Sequence, residues 1–277
     1  MNFYYYVLSA ALTLASLSWP SFLGVWISME AANLIVLAGF FTNIIPVQRY
    51  VGMLGAVLVS GLSSALLFIC FLCDQLVWVV LASLSLKVGM FPFLNWVVVV
   101  LVNSPWLVFY FLSTVSKISL LYFSFALASL DPRVVGTLFL LTFFFLIFYL
   151  VDGLSGFKML IAISSISTGS LIIVLLSVLG ISSAATLLGV YLFFSGALVG
   201  VLTKIEPGLI EGSDMLVASF VMLGIPFSVG VFYKLVGSYY ACFLSLPLAI
   251  FWVVYSCLEL VYMGLWLFEK SSVNEIW

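Results

Sequence analysis

"SLSLKVGMFPFLNWV", residues 83–97, lies inside a run of 42 residues (75–116) whose only charge is Lys87, with Pro92 five residues further on. A cation and a helix breaker in otherwise lipid-compatible sequence are both costly. An ionisable group at mid-bilayer costs at least about 2.5–3.5 kcal/mol on insertion scales and marks a functional path by default. A proline inside a helix removes a backbone hydrogen bond, and the freed carbonyl is tolerated at membrane depth only where it lines a cavity or meets another group. The stretch therefore predicts a broken membrane helix carrying a lysine in a polar pocket.

The rest of the chain agrees. Of its 277 residues, 66% are hydrophobic and 6% charged, where a soluble domain carries about a quarter charged residues. The mean hydropathy is +1.39. A hydrocarbon core about 30 Å thick takes roughly 20 apolar helical residues per crossing, so the chain has room for about ten crossings. The apolar runs are too continuous for the alternation of an outer-membrane barrel. The fold expected is an all-α polytopic membrane protein.

Charges, prolines and glycines divide the runs into ten expected helices: 3–19, 22–44, 50–73, 76–101, 104–128, 134–151, 158–179, 183–203, 215–238 and 241–267. Residues 159–203 carry no charge and divide only at "LGISS", 179–183. Five helices fall in a first half (1–128) and five in a second (134–267), followed by a short tail (268–277). Helix four of the first half holds Lys87 and Pro92. Helix four of the second, "ASFVMLGIPFSVGVFYKLVG", holds Gly224, Pro226, Gly230 and Lys234. Five crossings is an odd number, so equivalent halves would be inverted. Interrupted helices at matching places in two halves point to a transport site at the midplane.

The basic residues set the orientation. With ten crossings, Arg49, Lys158, Lys204 and Lys270 share the side of both termini, against Arg133 alone on the other. That places the termini on the side of synthesis, matrix or cytoplasm. The N-terminus, "MNFYYYVLSAALTLASLSW", lacks the basic region of a secretory signal and has no arginine for a transit peptide, which suits a chain inserted where it is made.

Four ionisable groups lie deep in the apolar runs: Glu30 in "GVWISMEAANLIVLAGFF", Lys87, Lys117 in "FYFLSTVSKISLLYFSF", and Lys234 after "GIPFSVG". A lysine near a helix end snorkels to the headgroups, but Lys87 and Lys117 lie about ten residues or more from either end. Lys234 is nearer an expected end. Glu30 is too short to snorkel, and either a salt bridge to a lysine or a protonated interhelical hydrogen bond would accommodate it, the salt bridge being favoured. Burial disfavours a charged lysine and a nearby carboxylate favours it. A Glu30–Lys87 contact that forms and breaks would therefore load and unload a proton. Glu259 is a further acid, evenly balanced between a relay role and a helix-end position.

Other features read as packing. "SSISTGS" (164–170) and "GALVG" (196–200) supply small residues for close helix contact, and the serines are also able to extend a water-bridged path. Cys70 and Cys73 form a C-x-x-C, yet the chain has no histidine to complete a metal site, and the cysteines read as small hydrophobes. The scattered charges form no patch for nucleic acid. No phosphate loop, dinucleotide fingerprint, catalytic triad, haem ligand set or metal site is present, so redox chemistry would happen elsewhere.

These motifs, taken in order, resemble the antiporter-like membrane subunits of respiratory complex I, and among them the mitochondrial NADH dehydrogenase subunit 2 family. "SMEAANLIVL" looks like the family's glutamate-bearing helix, with Glu30 at the carboxylate. "LSLKVGMFPFLNWV" is similar to its lysine-glycine-x-x-proline-phenylalanine segment, matching Lys87, Gly89, Pro92, Phe93 and Trp96. "LSTVSKISLLY" resembles the helix with the bridging lysine, here Lys117. "FKMLIAISSIS" resembles a basic residue followed by a serine pair, here Lys158, Ser164 and Ser165. "GIPFSVGVFYKLV" keeps the spacing glycine-x-proline-x-x-x-glycine-x-x-x-lysine, ending on Lys234, and is the most specific match.

The resemblance implies that Glu30, Lys87, Lys117 and Lys234 handle protons in a membrane-arm subunit of proton-pumping NADH:ubiquinone oxidoreductase. The expected setting is the mitochondrial inner membrane, with both termini in the matrix. The chain would hold no cofactor itself. FMN and iron–sulfur clusters would lie in other subunits, ubiquinone would bind elsewhere in the complex, and the partners would be other membrane-arm subunits and membrane lipids. Animal members lack three N-terminal helices of the bacterial form, which fits a start just before the glutamate helix. The chain departs from the pattern at Leu94 and Thr168, where histidine is common, and at Val98 and Val99, where proline and glutamate are common; it also ends about one helix early. Two rival readings share the composition: a stand-alone secondary cation/proton antiporter subunit and a structural membrane anchor without transport.

Overall fold

A computed structural model describes residues 3–41, 47–72, 77–152, 156–205, 212–222 and 228–274. The regular elements among them are helical. The first half comprises α1 (Phe3–Ala15), α2 (Phe22–Leu37), α3 (Val47–Leu72), α4 (Val77–Val88), α5 (Leu94–Val102), α6 (Trp106–Ser113) and α7 (Ser124–Ala128). The second comprises α8 (Pro132–Asp152), α9 (Phe157–Val178), α10 (Ile181–Ile205), α11 (Gly212–Met222), α12 (Val229–Leu244) and α13 (Leu246–Asn274). A 3₁₀ turn (Ala38–Phe40) extends α2, and a nine-residue 3₁₀ segment (Val115–Phe123) joins α6 to α7.

Among the described residues, seven continuous helical runs are long and apolar enough to cross a membrane. This is a multi-pass membrane protein. The first and fourth of the ten expected spans are short or divided: α1 is 13 residues, and the fourth is split into α4 and α5; of the ninth, α11 and α12 are described on either side of residues 223–227. Gly224 and Pro226, on which the break in the ninth rests, lie outside the described residues, as do Cys73 and the 42–44 end of the second.

Local chemistry explains most boundaries. The Ser21 hydroxyl accepts from the Gly24 N–H at 3.3 Å and starts α2, the usual role of an N-cap serine. Asp131 accepts from the Arg133 N–H at 2.9 Å, with Pro132 as the first residue of α8, where its missing N–H costs nothing. Gly180, at φ +88°, separates α9 from α10, so the division expected at "LGISS" is present.

Three expectations are corrected. The span 104–128 is not one α-helix, because hydroxyls compete for its carbonyls. Thr114 and Ser113 both donate to the Tyr110 carbonyl, at 2.5 and 3.4 Å, and Ser116 donates to that of Leu112 at 2.7 Å. Such back-bonding bends helices, and the chain tightens to 3₁₀ geometry from Val115. The last loop falls at Ser245, which is extended, rather than at 239–240; Pro247 fits the first turn of α13, where no N–H is needed. The tail expected at 268–277 is helical as far as Asn274, since Glu269, Lys270 and the serines contain no breaker.

Helix α9 is the hub. Its membrane-spanning stretch is 94% buried, against 17–50% for the other six. It packs against α4, α5, α8, α10, α12 and α13. Its buried hydroxyls Ser167, Thr168 and Ser170 bond back to carbonyls one turn earlier, at 2.6–2.8 Å, which satisfies the donors without water. A satellite cluster, including Tyr6, Phe40, Ala56, Val100 and Val108, closes α1, α2, α3, α5 and α6 against one another.

Candidate functional site

The opening motif folds into a helix terminus. Gly89 takes φ +82°, a conformation that a residue with a Cβ adopts only under strain. The N–H groups of Gly89 and Met90 both return to the Ser85 carbonyl, at 2.9 and 2.8 Å, which closes α4 with the long-range bond of a Schellman turn. The next carbonyl, Leu86, accepts from the Trp96 indole N–H at 2.8 Å. The polar group released by the break is thus met by a side chain of α5. Lys87 becomes the penultimate residue of α4, and its side chain leaves the helix where α4 stops.

From there Lys87 Nζ stands 3.6 Å from Glu30 Oε1 on α2, with side-chain exposures of 12% and 17%. The pair is within ion-pair range but beyond hydrogen-bond length. A cavity of about 70 Å³ opens beside it, lined by Asn33, Ser63, Lys87, Trp96, Lys117 and Ser165 among others. Since one water needs roughly 10–15 Å³ of such space, the cavity accommodates several. Lys87 and Lys117 reach the same hollow from different elements.

Lys117 sits on the 3₁₀ segment, where residues three apart align. Lys117, Leu120 and Phe123 form one buried row. The Lys117 ammonium donates to the Ser165 carbonyl and, at 2.8 Å, to the Ser165 hydroxyl. The Ser165 hydroxyl in turn donates to the Ser113 carbonyl at 3.1 Å. The amine also lies 4.9 Å from the centre of the Tyr191 ring. Gly169 makes this approach possible: a Cβ there would lie 3.3 Å from Lys117 Cε and 2.4 Å from Val88 Cγ1. Lys117 is held by neutral oxygens and a ring face.

Lys234 lies on α12, one and a half turns from the Ser228 cap, whose hydroxyl accepts from the Val231 N–H at 3.2 Å. It forms a hydrogen-bonded ion pair with Glu259 of α13, with side-chain exposures of 7% and 0%. Tyr233, Trp252 and Tyr255 surround the amine, their ring centres 5.2–5.8 Å away. Here the sequence left Glu259 evenly balanced because "FEK" lies close by, yet α13 continues past that point and Glu259 is wholly buried. The missed signal was spacing: Tyr255 and Glu259 are four apart and share one helix face with Trp252.

Of the four residues singled out from the sequence, Lys117 and Lys234 are buried and Glu30 and Lys87 are partly exposed; the structure adds the buried Glu259. Glu30 meets Lys87, Lys87 and Lys117 share a cavity, and Lys234 meets Glu259. Between Lys117 and Lys234 stand the hydroxyls of Ser165, Tyr191, Thr168 and Tyr233; Thr168 Oγ1 and Tyr233 Oη lie 2.7 Å apart. Lys158 lies away from this line, its amine 4.7 Å from the Trp106 ring centre. Of the expected G-x-x-x-G face, a Cβ added at Gly196 would lie 3.5 Å from the Tyr110 ring, and one at Gly200 would meet open space.

Fold and site together define a multi-pass helical membrane protein with a buried series of amines and carboxylates. No protein-family model matches the chain, and no curated protein matches it. Among solved structures it is similar to a chain of the membrane-bound sulfane sulfur reductase, an archaeal respiratory membrane complex, with a TM-score of 0.69 and 17% identity over 87% of this chain and 60% of that one. The two share a fold, and this chain spans about 60% of the length of that neighbour.

Proposed function

We propose that this chain is a core membrane-arm subunit of a proton-pumping NADH:ubiquinone oxidoreductase of the inner mitochondrial membrane. In this reading it moves protons through Glu30, Lys87, Lys117 and Lys234 and carries no redox centre. FMN and iron–sulfur clusters belong to other subunits, and ubiquinone is reduced elsewhere in the complex. Both termini face the matrix, and the two five-helix halves, 1–128 and 134–267, are inverted copies.

One observation carries the proposal: five ionisable groups that lipid would exclude, three of them buried and two largely shielded, follow one another from α2 to α13, joined by ion pairs, a shared cavity and hydroxyls. Isolated charges at this depth are expensive, and they persist where they pair or line a path. The membrane respiratory neighbour supports the same reading through the fold.

The arrangement gives a mechanism. With a proton on Lys87, attraction to Glu30 holds the pair closed. As Lys87 passes its proton through the cavity to Lys117, the pair loses its attraction, and Glu30 is free to accept the next proton. Among the described residues Lys117 has no carboxylate partner, so its charge is the least compensated of the three and the readiest to move on. Arrival of charge near Tyr191 and Tyr233 disturbs the Lys234–Glu259 pair and releases a proton there. Electron transfer elsewhere in the complex would drive the cycle by changing which pair is closed.

The test uses sealed vesicles of the native membrane, energised by NADH, with a pH-sensitive dye reporting proton uptake and quinone reduction followed in parallel. Lys87→Met and Lys117→Met should each cut protons moved per electron pair while the complex still assembles. Assembled variants that pump at the parent ratio overturn the proposal. Transport of a monovalent cation by the purified chain alone would instead identify a stand-alone antiporter.

A further inference from the structure

Every serine lining the hollow between Lys87 and Lys117 has spent its proton. Ser60, Ser63, Ser116 and Ser165 each donate to a backbone carbonyl, at 3.0, 2.9, 2.7 and 3.1 Å. Toward the hollow they offer acceptors only. The Trp96 N–H is likewise taken, by the Leu86 carbonyl. The charged donors that remain are the two amines. Lys87 Nζ has no hydrogen-bond partner among the described residues, and Lys117 commits two of its three N–H bonds to Ser165. Among the described residues no carboxylate lines the hollow. Glu30 stands outside it, 3.6 Å from Lys87, and balances one of the two positive charges. With all three groups ionised, one positive charge is left over.

Much of the remaining wall is apolar, including Leu37, Val97, Val100 and Leu112. Two ammonium groups repel a cation. A bare halide would meet the charge and leave the apolar end unfilled, whereas an alkyl chain gains by filling it. Size narrows the class further. At roughly 10–15 Å³ for each water-sized site, the volume of about 70 Å³ holds about five to seven non-hydrogen atoms, the size of a four-carbon monocarboxylate. The lining residues Val59, Ser60, Leu112 and Ser116 are only half-buried, so the hollow reaches the surface beside α3.

We infer that this hollow is a binding site for a short-chain monocarboxylate, its carboxylate held between Lys87 and Lys117 and its alkyl chain against Val97 and Val100. Such a carboxylate accepts charge-assisted hydrogen bonds from both amines. A nearby carboxylate favours the charged form of an amine, so both lysines stay ammonium ions, and the alkyl chain takes the space that bridging water would use. Proton passage from Lys87 to Lys117 then has neither a vacant base nor a bridge. The site stands on the geometry of the hollow; the block on transport rests on the proton-path reading.

Photolabelling tests the site without relying on transport. Native membranes holding the intact assembly are irradiated with azipentanoate, a five-carbon acid carrying a photoreactive diazirine, and the labelled residues are mapped by mass spectrometry. Label should fall on Val97, Val100 and Leu112, and excess butyrate should lower it at least fivefold. Butyramide, which has the shape without the charge, and chloride should not. Assembled Lys117→Met should lose the label. In parallel, butyrate should slow NADH-driven quinone reduction at least fivefold in the detergent-solubilised assembly, where a weak acid has no proton gradient to collapse. Val59→Phe fills apolar space at the half-buried edge; it should keep the parent rate and weaken the butyrate effect at least fivefold. Label only outside the hollow, or label displaced equally by butyramide or chloride, overturns the site whatever Lys117→Met does to pumping. Label in the hollow with quinone reduction unchanged by saturating butyrate overturns the block, and counts against the proton path rather than the site.

Discussion

Lys234 of α12 and Glu259 of α13, 25 positions apart in the chain, form a hydrogen-bonded ion pair that is almost completely shielded. Glu30 of α2 and Lys87 of α4 make a second pair, at 3.6 Å and with more exposure. The two pairs flank Lys117, which has Ser165 and a ring face instead of a carboxylate. Tight and loose pairs on either side of an amine without a counter-ion have different consequences for stability and for transport.

Removing one member of a buried ion pair leaves the other as an uncompensated charge, at a cost of about 3–5 kcal/mol. Glu259→Gln should therefore lower the unfolding temperature of the detergent-solubilised protein markedly. The double variant Glu259→Gln/Lys234→Met removes both charges and should recover most of that loss. A double variant no more stable than the single would show that the pair is not what the site depends on.

Glu30→Gln should behave differently. The Glu30–Lys87 contact lacks a hydrogen bond and lies beside a cavity, so its loss should cost closer to the ~1 kcal/mol of a solvated pair. Its effect on pumping should nevertheless be large, because Lys87 loses the group that recruits its proton. Thermal stability near the parent value together with a several-fold lower proton-to-electron ratio is the expected result.

Gly169→Ala tests how closely α9 must approach Lys117. The added methyl would meet Val88 Cγ1 at 2.4 Å, an overlap that forces α4 or α9 to shift; overpacking of this kind costs about 1–3 kcal/mol. The shift also displaces the Lys117–Ser165 contact. Pumping and thermal stability should both fall, whereas Gly200→Ala, at a position facing open space, should change neither.

Gly89→Ala combines two penalties. Its φ of +82° is strained for alanine, and the methyl would lie 2.3 Å from Val97 Cγ2. The two effects together should cost about 2–4 kcal/mol. Trp96→Phe leaves the backbone alone but strips the Leu86 carbonyl of its donor, a loss of about 1–3 kcal/mol for a buried acceptor. Thermal denaturation should rank Gly89→Ala below Trp96→Phe and both below the parent.

Composition and the position of breakers were enough, read from the chain alone, to establish a helical multi-pass membrane protein and to single out Glu30, Lys87, Lys117 and Lys234. Charge has almost no place in hydrocarbon, so each exception stands out in a one-dimensional reading. The break after Lys87 was legible for the same reason: glycine and proline act locally. Which groups meet was not legible. The partners of Lys117 and Lys234 lie 48 and 25 positions away, brought together by the packing of apolar helices whose surfaces carry no distinguishing letters. The burial of Glu259 and the line of hydroxyls between two lysines follow from that packing, because dispersion and close fit, unlike charge, depend on the whole three-dimensional neighbourhood.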